Sequence, residues 1–373
     1  MNKKAWIWIA VAILAALAIA LVWMVSHQDA AVLKIGATLP LSGDAAVWGK
    51  NTQEGIDLAV EEINASGGVL GRNLVIAYED TKALPKEGVT AYRKLVAVDR
   101  VQAIIDDSVS GVTLAMAPLA QRDQVVILAT GATAPKISDA GKYIFRIWNS
   151  DAYEGQVAAD YAFDNLDLHS MAILYVNNEY GKGLEQVFRA RFRERGGKVS
   201  ISEGFAQSAT DMRTQITKII ASAADGLYVV GYPKEIPIAL RQAKELGLSV
   251  PLLGTVAMQD PQLIKSAGDA AEGLMFPYPK SLTAQHVSRF SQAFQNRYGK
   301  EPGITADVGY DAVKMLAKAI ELSGGITGEE IMTGLNMLQD YPGVSGTMTF
   351  DENGDVHKPM GIKVVNGGQF RWK

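Results

Sequence analysis

Short apolar runs alternate with helix-period segments along most of this chain of 373 residues. The apolar runs have the length and composition of buried strands. Between them, apolar side chains recur at the spacing of helices that bury one face. This alternation predicts parallel sheets with helices on both faces. A single hydrophobic core rarely supports a chain of 373 residues. We therefore expect two such α/β lobes, each doubly wound.

The second half of the chain repeats the pattern of the first and then changes character. The predicted strands are Val32–Leu39, Leu74–Tyr78, Val101–Ile105, Val125–Ala129, Tyr143–Ile147, Ser170–Val176, Val199–Phe205, Gly226–Gly231, Leu252–Gly254 and Gly273–Pro279. Two helical segments, Ala284–Tyr298 and Ala306–Ser323, follow with no strand between them, and we expect them to return to the first lobe. The tail is predicted to form antiparallel strands separated by turns.

Residues 106–135 contain two successive predicted strand-to-helix turns. The first turn carries Ser108 and Ser110, and the second carries Gly131 and Thr133. Parallel strands end at the same edge of a sheet, so both helix amino termini should face one crevice with free N–H groups and hydroxyls. This arrangement predicts a carboxylate-binding site. As single residues, Ser110 and Thr133 also fit simple helix N-caps.

Two adjacent acids, Asp106 and Asp107, stand at the end of the strand before the first turn. Neighbouring residues on an extended segment point in opposite directions, so only one of them can face the crevice. One hypothesis is that Asp107 meets an ammonium group of a ligand. The other is that both carboxylates are solvated or cap the following helix.

Composition excludes several classes of function. The net charge is −4 with no basic stripe, which argues against a nucleic-acid partner. There is no cysteine, and the four histidines lack metal-ligand spacing, so we expect no metal site and no cofactor. Catalytic motifs for acyl, phosphoryl or hydride transfer are also missing, so we expect no catalytic residues and no enzyme.

The amino terminus has the form of an export segment. Lys3 and Lys4 precede an uncharged apolar run at residues 5–25. Residues 1–30 are therefore predicted to be a signal peptide or an uncleaved signal anchor, the latter tethering the protein to the inner membrane. Positive residues stay cytoplasmic, so the bulk of the chain is expected in the periplasm.

Six motifs in order resemble those of a known family. They read IGATLPLSG, WGKNTQEGIDLAVEEINASGGVLGRNL, SGVTLAMAPLAQ with ATAP, YGKG, GYPKEIPIALRQAKELG and MTFDENGD. From about Val32 onward, the chain resembles type I periplasmic binding proteins, in the leucine/isoleucine/valine-binding branch that serves ABC importers. The resemblance implies two α/β lobes that close over one ligand about a three-segment hinge, and an ABC permease in the inner membrane as partner.

The resemblance also implies lobe boundaries. Residues 31–147 plus 280–345 would form the N-terminal lobe, and residues 148–279 plus 346–373 the C-terminal lobe. The three crossings would fall near Arg146–Asn149, Met275–Pro279 and Val344–Thr347.

Residue by residue, the resemblance implies a ligand site made of Trp48, Ser110, Gly131, Thr133, Tyr180 and Tyr232. Ser108, from the first strand-to-helix turn, and Asp107 are further candidates. Ser110 would bind the ligand carboxylate, and the tyrosines would come from the opposite lobe. Val256 stands where amino-acid binders of the family usually carry an acid for the ligand ammonium. We therefore expect a solute-binding protein for an amino acid or related small carboxylate. A membrane-tethered sensor of the same fold, or a binder of an amide or urea-type ligand, remains an alternative.

Overall fold

The structure, a computed structural model, describes residues 32–43, 45–280 and 284–373. Within these ranges the chain forms two α/β lobes, each built around a largely parallel sheet. The predicted signal segment at residues 1–30, with its apolar run at 5–25, lies outside the described residues. In the part that is described, no helix is long and apolar enough to cross a membrane.

The first lobe is organised around a parallel sheet of five described strands in the order β2-β1-β3-β4-β5. These strands are β1 (Leu33–Leu39), β2 (Leu74–Asp80), β3 (Ala103–Asp106), β4 (Val126–Ala129) and β5 (Ile144–Arg146). The helices that follow the first three strands are α1 (Ala46–Ala65), α2 (Pro85–Ala97) and α3 (Ser110–Asp123). Strands β3 and β4 are buried throughout, as expected of central parallel strands covered on both faces.

The second lobe contains a described sheet of seven strands in the order β14-β13-β10-β9-β8-β6-β7. These are β6 (Ser170–Val176), β7 (Lys198–Phe205), β8 (Gly226–Val230), β9 (Leu252–Leu253), β10 (Met275–Pro279), β13 (Met360–Asn366) and β14 (Gln369–Trp372). Its helices are α4 (Asp151–Asp160), α5 (Glu179–Glu194), α6 (Arg213–Ala221), α7 (Ile236–Glu245) and α8 (Pro261–Ala267). The last two strands are antiparallel to their neighbours, as the turn-rich tail predicts.

Three later helices return to the first lobe. They are α9 (Ala284–Tyr298), α10 (Ala306–Ser323) and α11 (Gly328–Asn336). Helix α10 packs along α1, where a Cβ on Gly55 would overlap the carbonyl of Ala306, so the two backbones approach closely. These contacts agree with the expectation that the segments after β10 return to the first lobe.

The third crossing lies later in the chain than the sequence predicts. The hairpin of β11 (Tyr341–Gly343) and β12 (Gly346–Met348) is followed by a turn that runs beside β5. Phe350 packs edge-on against Phe145 at 5.0 Å, and Val356 is buried in the first-lobe core. Residues 346–356 therefore belong to the first lobe, because their apolar side chains complete its core, and the crossing falls between Val356 and β13.

The second predicted strand-to-helix turn leads into a shorter helix than the sequence predicts. Pro135 does begin a helical turn, but this is a 3₁₀ turn of three residues, Pro135–Ile137. Of the two predicted turns, the first leads into the full helix α3, and the second leads only into this short 3₁₀ turn.

Candidate functional site

The candidate site lies at the carboxyl ends of the strands, at the point in each sheet where the strand order reverses direction. In the first sheet, β1 lies between β2 and β3, so the segments after β1 and β3 leave on opposite faces and open a crevice between them. Trp48 follows β1, and Ser110 follows β3. In the second sheet, β6 lies between β7 and β8, with Tyr180 after β6 and Tyr232 after β8.

The structure brings all eight predicted site residues to a single cavity between the lobes. Trp48, Asp107, Ser108, Ser110, Gly131 and Thr133 line it from the first lobe, and Tyr180 and Tyr232 from the second. The cavity is also lined by Val256, the position noted from the resemblance, and by six residues that the sequence patterns did not indicate, namely Val109, Thr130, Trp148, Ala257, Ile304 and Thr305.

Ser110 connects the two successive turns. Its Oγ accepts hydrogen bonds from the backbone N–H groups of Thr133 and Ala134, both at 3.1 Å. The hydroxyl hydrogen of Ser110 is left to donate to a further acceptor. Ser110 is the first residue of α3 rather than its N-cap, and Thr133 does not cap the 3₁₀ turn. The simple capping interpretation of these two residues is therefore wrong.

The amino terminus of α3 supplies further donors. The N–H groups of Val112 and Thr113 both point to the carbonyl of Val109. The N–H groups of Ser110 and Gly111 are not used by the helix itself, as at the start of any α-helix. Together with the Ser110 hydroxyl, they form a group of donors suited to an anion.

Asp106 and Asp107 point to different surroundings, as expected for adjacent residues at a strand end. Asp106 accepts hydrogen bonds from the hydroxyls of Thr38 and Thr113. Both acids are buried, so the interpretation of solvated carboxylates is wrong.

Asp107 is held by hydroxyl groups at the wall of the cavity. Its Oδ2 accepts from Thr52 at 2.7 Å, and its Oδ1 accepts from Thr130 at 3.0 Å. Burial raises the pKa of Asp107 to about 7, although the hydrogen bonds from Thr52 and Thr130 act in the opposite direction. Asp107 therefore titrates near neutral pH and can carry either charge state there.

Three aromatic rings meet across the cavity, Trp48 from the first lobe and Tyr180 and Tyr232 from the second. Tyr180 and Tyr232 stack with ring centroids 5.4 Å apart, and Trp48 meets Tyr232 edge-on at 5.9 Å. The Tyr180 hydroxyl lies 3.0 Å from Thr255 Oγ1, and the Tyr232 hydroxyl accepts a 3.0 Å hydrogen bond from Asn178. The indole N–H of Trp48 is buried without an acceptor among the described residues. The wall is thus apolar with polar tips, as in most small-molecule sites.

Two buried acids next to the cavity, Asp151 and Glu154, were not found from the sequence. They lie in the first turn of α4, which Ser150 caps. Glu154 Oε1 accepts a 2.8 Å hydrogen bond from the N–H of Val256. Glu154 Oε2 has no hydrogen-bond partner within the described residues, whereas the Asp151 carboxylate interacts with the Thr133 side chain. Acids three positions apart share a helix face, and this spacing directly after a predicted crossing was the available signal.

Burial dominates the protonation of this pair. It raises the pKa of Asp151 to about 7 and that of Glu154 well above its ordinary value, and the charge of Asp151 adds to the effect on Glu154. A hydrogen bond from the Thr133 side chain and the charge of Arg146 lower the pKa of Asp151 again in part, although the Arg146 guanidinium does not bond to that carboxylate. Without a cationic partner, the pair retains protons near neutral pH.

The crossing segments are tied together beside the site. Arg146 is fully buried and uses all five N–H donors, on Asp355, Ser138 and the carbonyls of Thr133 and Ala134. Asn149 exchanges two hydrogen bonds with the backbone of Lys358, at 2.7 and 2.8 Å, so the first and third crossings run side by side.

Comparisons with known proteins agree with this architecture. Residues 32–369 match the family model described as periplasmic binding protein. The leucine-, isoleucine-, valine-, threonine- and alanine-binding protein of Pseudomonas aeruginosa is 29% identical over 342 residues, covering 91% of each chain.

Two solved structures are similar in fold over nearly the whole chain. The leucine-binding protein LivK of Thermotoga maritima has a TM-score of 0.86 at 30% identity, covering 92% of this chain and 98% of that one. LivJ of Streptococcus pneumoniae, solved in complex with isoleucine, has a TM-score of 0.83 at 27% identity, with coverage of 91% and 98%.

The chain belongs to the periplasmic binding protein family, which implies a periplasmic or extracytoplasmic location. Within that family it groups with the leucine/isoleucine/valine-binding proteins of branched-chain amino acid ABC transporters, so the resemblance seen in the sequence is confirmed.

Proposed function

We propose that this protein captures an amino acid or a related small carboxylate between its two lobes and delivers it to an ABC permease. The observation that carries the proposal is the group of donors around Ser110 facing the stacked tyrosines across one cavity. Relatives over nearly the full length are named as amino-acid-binding proteins, which supports the same class of ligand.

The donors around Ser110 are of the right kind to hold a ligand carboxylate. A hydrogen bond to a charged group contributes about 1.5–3 kcal/mol, and a partly buried helix terminus contributes up to about 2 kcal/mol. Micromolar binding requires about 8 kcal/mol net. Several such contacts, together with burial of ligand apolar surface against Trp48, Tyr180 and Tyr232, reach that range, whereas no single contact does.

Binding is proposed to proceed by closure of the lobes about the crossing segments. Residues that line the cavity come from both lobes, so a ligand in contact with Ser110 and Tyr180 joins them. Rigid lobes connected by a few crossing segments are the usual arrangement for hinge closure around a ligand. The proposed lobe division follows the sequence prediction, except that residues 346–356 move to the first lobe.

The two alternative functions are not supported by the described residues. A membrane-tethered sensor would depend on residues 5–25, which lie outside them. An amide or urea-type ligand would leave the donors at Ser110 without an anion.

A thermal-shift screen of the purified protein tests the proposal. The compounds are the twenty L-amino acids, a set of amino-free aliphatic and aromatic monocarboxylates, and uncharged amides with urea. At least one carboxylate is expected to raise the melting temperature by several degrees at millimolar concentration, because ligand binding stabilises the folded state by mass action. A shift with an amide or urea and with no carboxylate would contradict the proposal.

A further inference from the structure

We propose that Trp148 is a partition that limits the size of the ligand, because it closes the interlobe cavity against a second, larger cavity beside the crossing segments. This inference rests on the proposed function and narrows its ligands to small carboxylates without an aromatic side chain.

Two residues belong to the walls of both cavities. Trp148 and Ile304 line the interlobe cavity, whose volume is about 50 Å³, and they also line a neighbouring cavity of about 260 Å³. No other described residue lines both. The smaller cavity has room for a few water molecules, since each needs about 10–15 Å³ measured in this way. The space available to a ligand therefore depends on whether this shared wall stays closed.

The second cavity is suited to an apolar or aromatic group. Nine of its fourteen described lining residues are apolar or aromatic, among them Tyr278, Val287, Phe290 and Val344. Asp307 is the one acid in this lining, and burial raises the pKa of its carboxyl group. Burial of apolar surface in such a space is favourable. A ligand side chain that reached past Trp148 would therefore find a place to bind.

The indole of Trp148 is held in position from two sides. Tyr278 meets it edge-on with ring centroids 6.2 Å apart, and Nζ of Lys358 lies 5.6 Å from the ring centroid. Lys358 is itself buried, and its Nζ donates to Oγ of Ser345 at 2.7 Å. The next residue in the chain, Asn149, exchanges two hydrogen bonds with the backbone of Lys358. These contacts keep the ring from swinging aside.

A fixed wall discriminates between ligands by size. A ligand too large for the interlobe cavity must displace Trp148 from its contacts with Tyr278 and Lys358, whereas a ligand that fits leaves them intact. Removal of the indole joins the two cavities and gives a larger side chain access to the apolar space beyond. Ligand selectivity should therefore change in a direction that a purely structural role of Trp148 does not predict.

Calorimetry with two matched pairs of ligands tests the partition. One pair is L-leucine and L-phenylalanine, and the other is their amino-free counterparts, 4-methylpentanoate and 3-phenylpropionate. The measured quantity is the ratio of dissociation constants within a pair, because a general loss of stability affects both members alike. Wild type should favour the aliphatic member by at least about 10-fold, and Trp148→Ala should reduce that preference by at least about 10-fold.

Two further variants complete the experiment. Ile304→Ala opens the same wall from its other side and should change the ratio in the same direction, which keeps the test available if Trp148→Ala does not fold. Phe290→Ala is the matched control, because Phe290 lines the second cavity alone and its truncation enlarges that cavity behind an intact wall. The control should keep the wild-type ratio.

The outcomes separate this inference from the proposed function. Wild type that binds the aromatic member at least as tightly as the aliphatic one would overturn the partition. An unchanged ratio in the opened variants, or an equal change in the Phe290 control, would overturn it too. The same conclusion follows if none of the four compounds binds wild type or either opened variant. The proposed function survives these results if another carboxylate raises the melting temperature, and it fails if no carboxylate does.

Discussion

The N–H of Val256 donates a 2.8 Å hydrogen bond to Oε1 of Glu154, 102 residues earlier in the chain. This bond joins the turn that follows β9 to the first turn of α4. One oxygen of Glu154 is fixed by the turn at Val256, and the other has no partner among the residues described. Burial raises the pKa of Glu154 well above its ordinary value, so this bond ties a buried, protonated acid of α4 to the turn that follows β9.

Replacing Ser110 with alanine should weaken carboxylate binding by about 1–3 kcal/mol. The change removes a donor to the ligand and leaves the N–H groups of Thr133 and Ala134 without their acceptor. Calorimetry with the best carboxylate from the screen measures the effect. Thr90→Ala serves as the control, since Thr90 bonds only within its own exposed helix. Equal affinities for both variants would remove Ser110 from the site.

The substitution Gly131→Ala should weaken binding of the carboxylate ligand more than Gly111→Ala does. A Cβ on Gly131 would lie 2.8 Å from Oδ1 of Asp107, so that carboxylate must shift at the cavity wall. A Cβ on Gly111 would meet only Pro85, at 3.7 Å, which is an ordinary contact. The measurement is the ratio of dissociation constants for the two variants. We expect the dissociation constants to differ by about 10-fold or more, which corresponds to about 1.4 kcal/mol. Equal dissociation constants would show that the cavity wall at Gly131 tolerates the added methyl group.

Asp355→Asn should destabilise the protein by about 3–5 kcal/mol, because it leaves the fully buried Arg146 without its counter-charge. Urea denaturation followed by circular dichroism measures the free energy of unfolding. Glu245→Gln is the control, since it removes an exposed ion pair with Arg213 and should cost at most about 1 kcal/mol. A loss no greater than in the control would mean that this pair does not fix the turn at Asp355 to the end of β5.

Asp107→Asn should flatten the pH dependence of stability between about pH 4 and pH 7. The pKa of Asp107 is about 7 in the folded protein and about 3.9 when unfolded, so the folded state binds more protons in this window. The contribution to the free energy of unfolding is fully present below about pH 4 and is lost as the pH rises to about 7, by at most about 1.4 kcal/mol per unit. Urea titrations of the unliganded proteins across this range give the difference directly. Parallel curves for variant and wild type would show that Asp107 stays ionised.

The lobes and the first-lobe half of the site were predictable because they depend on local patterns. Strand ends in a parallel sheet share one edge, so Ser110, Gly131 and Thr133 could be placed together from spacing alone. Tyr180 and Tyr232 were placed in the cleft by the resemblance, and the structure brings them to the same cavity.

Long-range packing was less predictable. The turn that carries Asp355 packs on the first lobe because Phe350 and Val356 complete its core. Phe350 contacts Phe145 there, although the two residues are more than 200 positions apart in sequence. The burial of Asp151 and Glu154 and the bond from Val256 to Glu154 depend on tertiary packing, which the spacing of two acids on a helix does not predict by itself.

Calorimetric titration of the purified protein with the twenty L-amino acids and their α-amides tests the central claim most directly. The account predicts that at least one L-amino acid binds with one-to-one stoichiometry at micromolar concentration or below. Its α-amide, which lacks the carboxylate, should bind at least about 10-fold more weakly because the charged hydrogen bonds at Ser110 are lost. Equal affinity of an amino acid and its amide, or saturable binding of amides alone, would contradict the account.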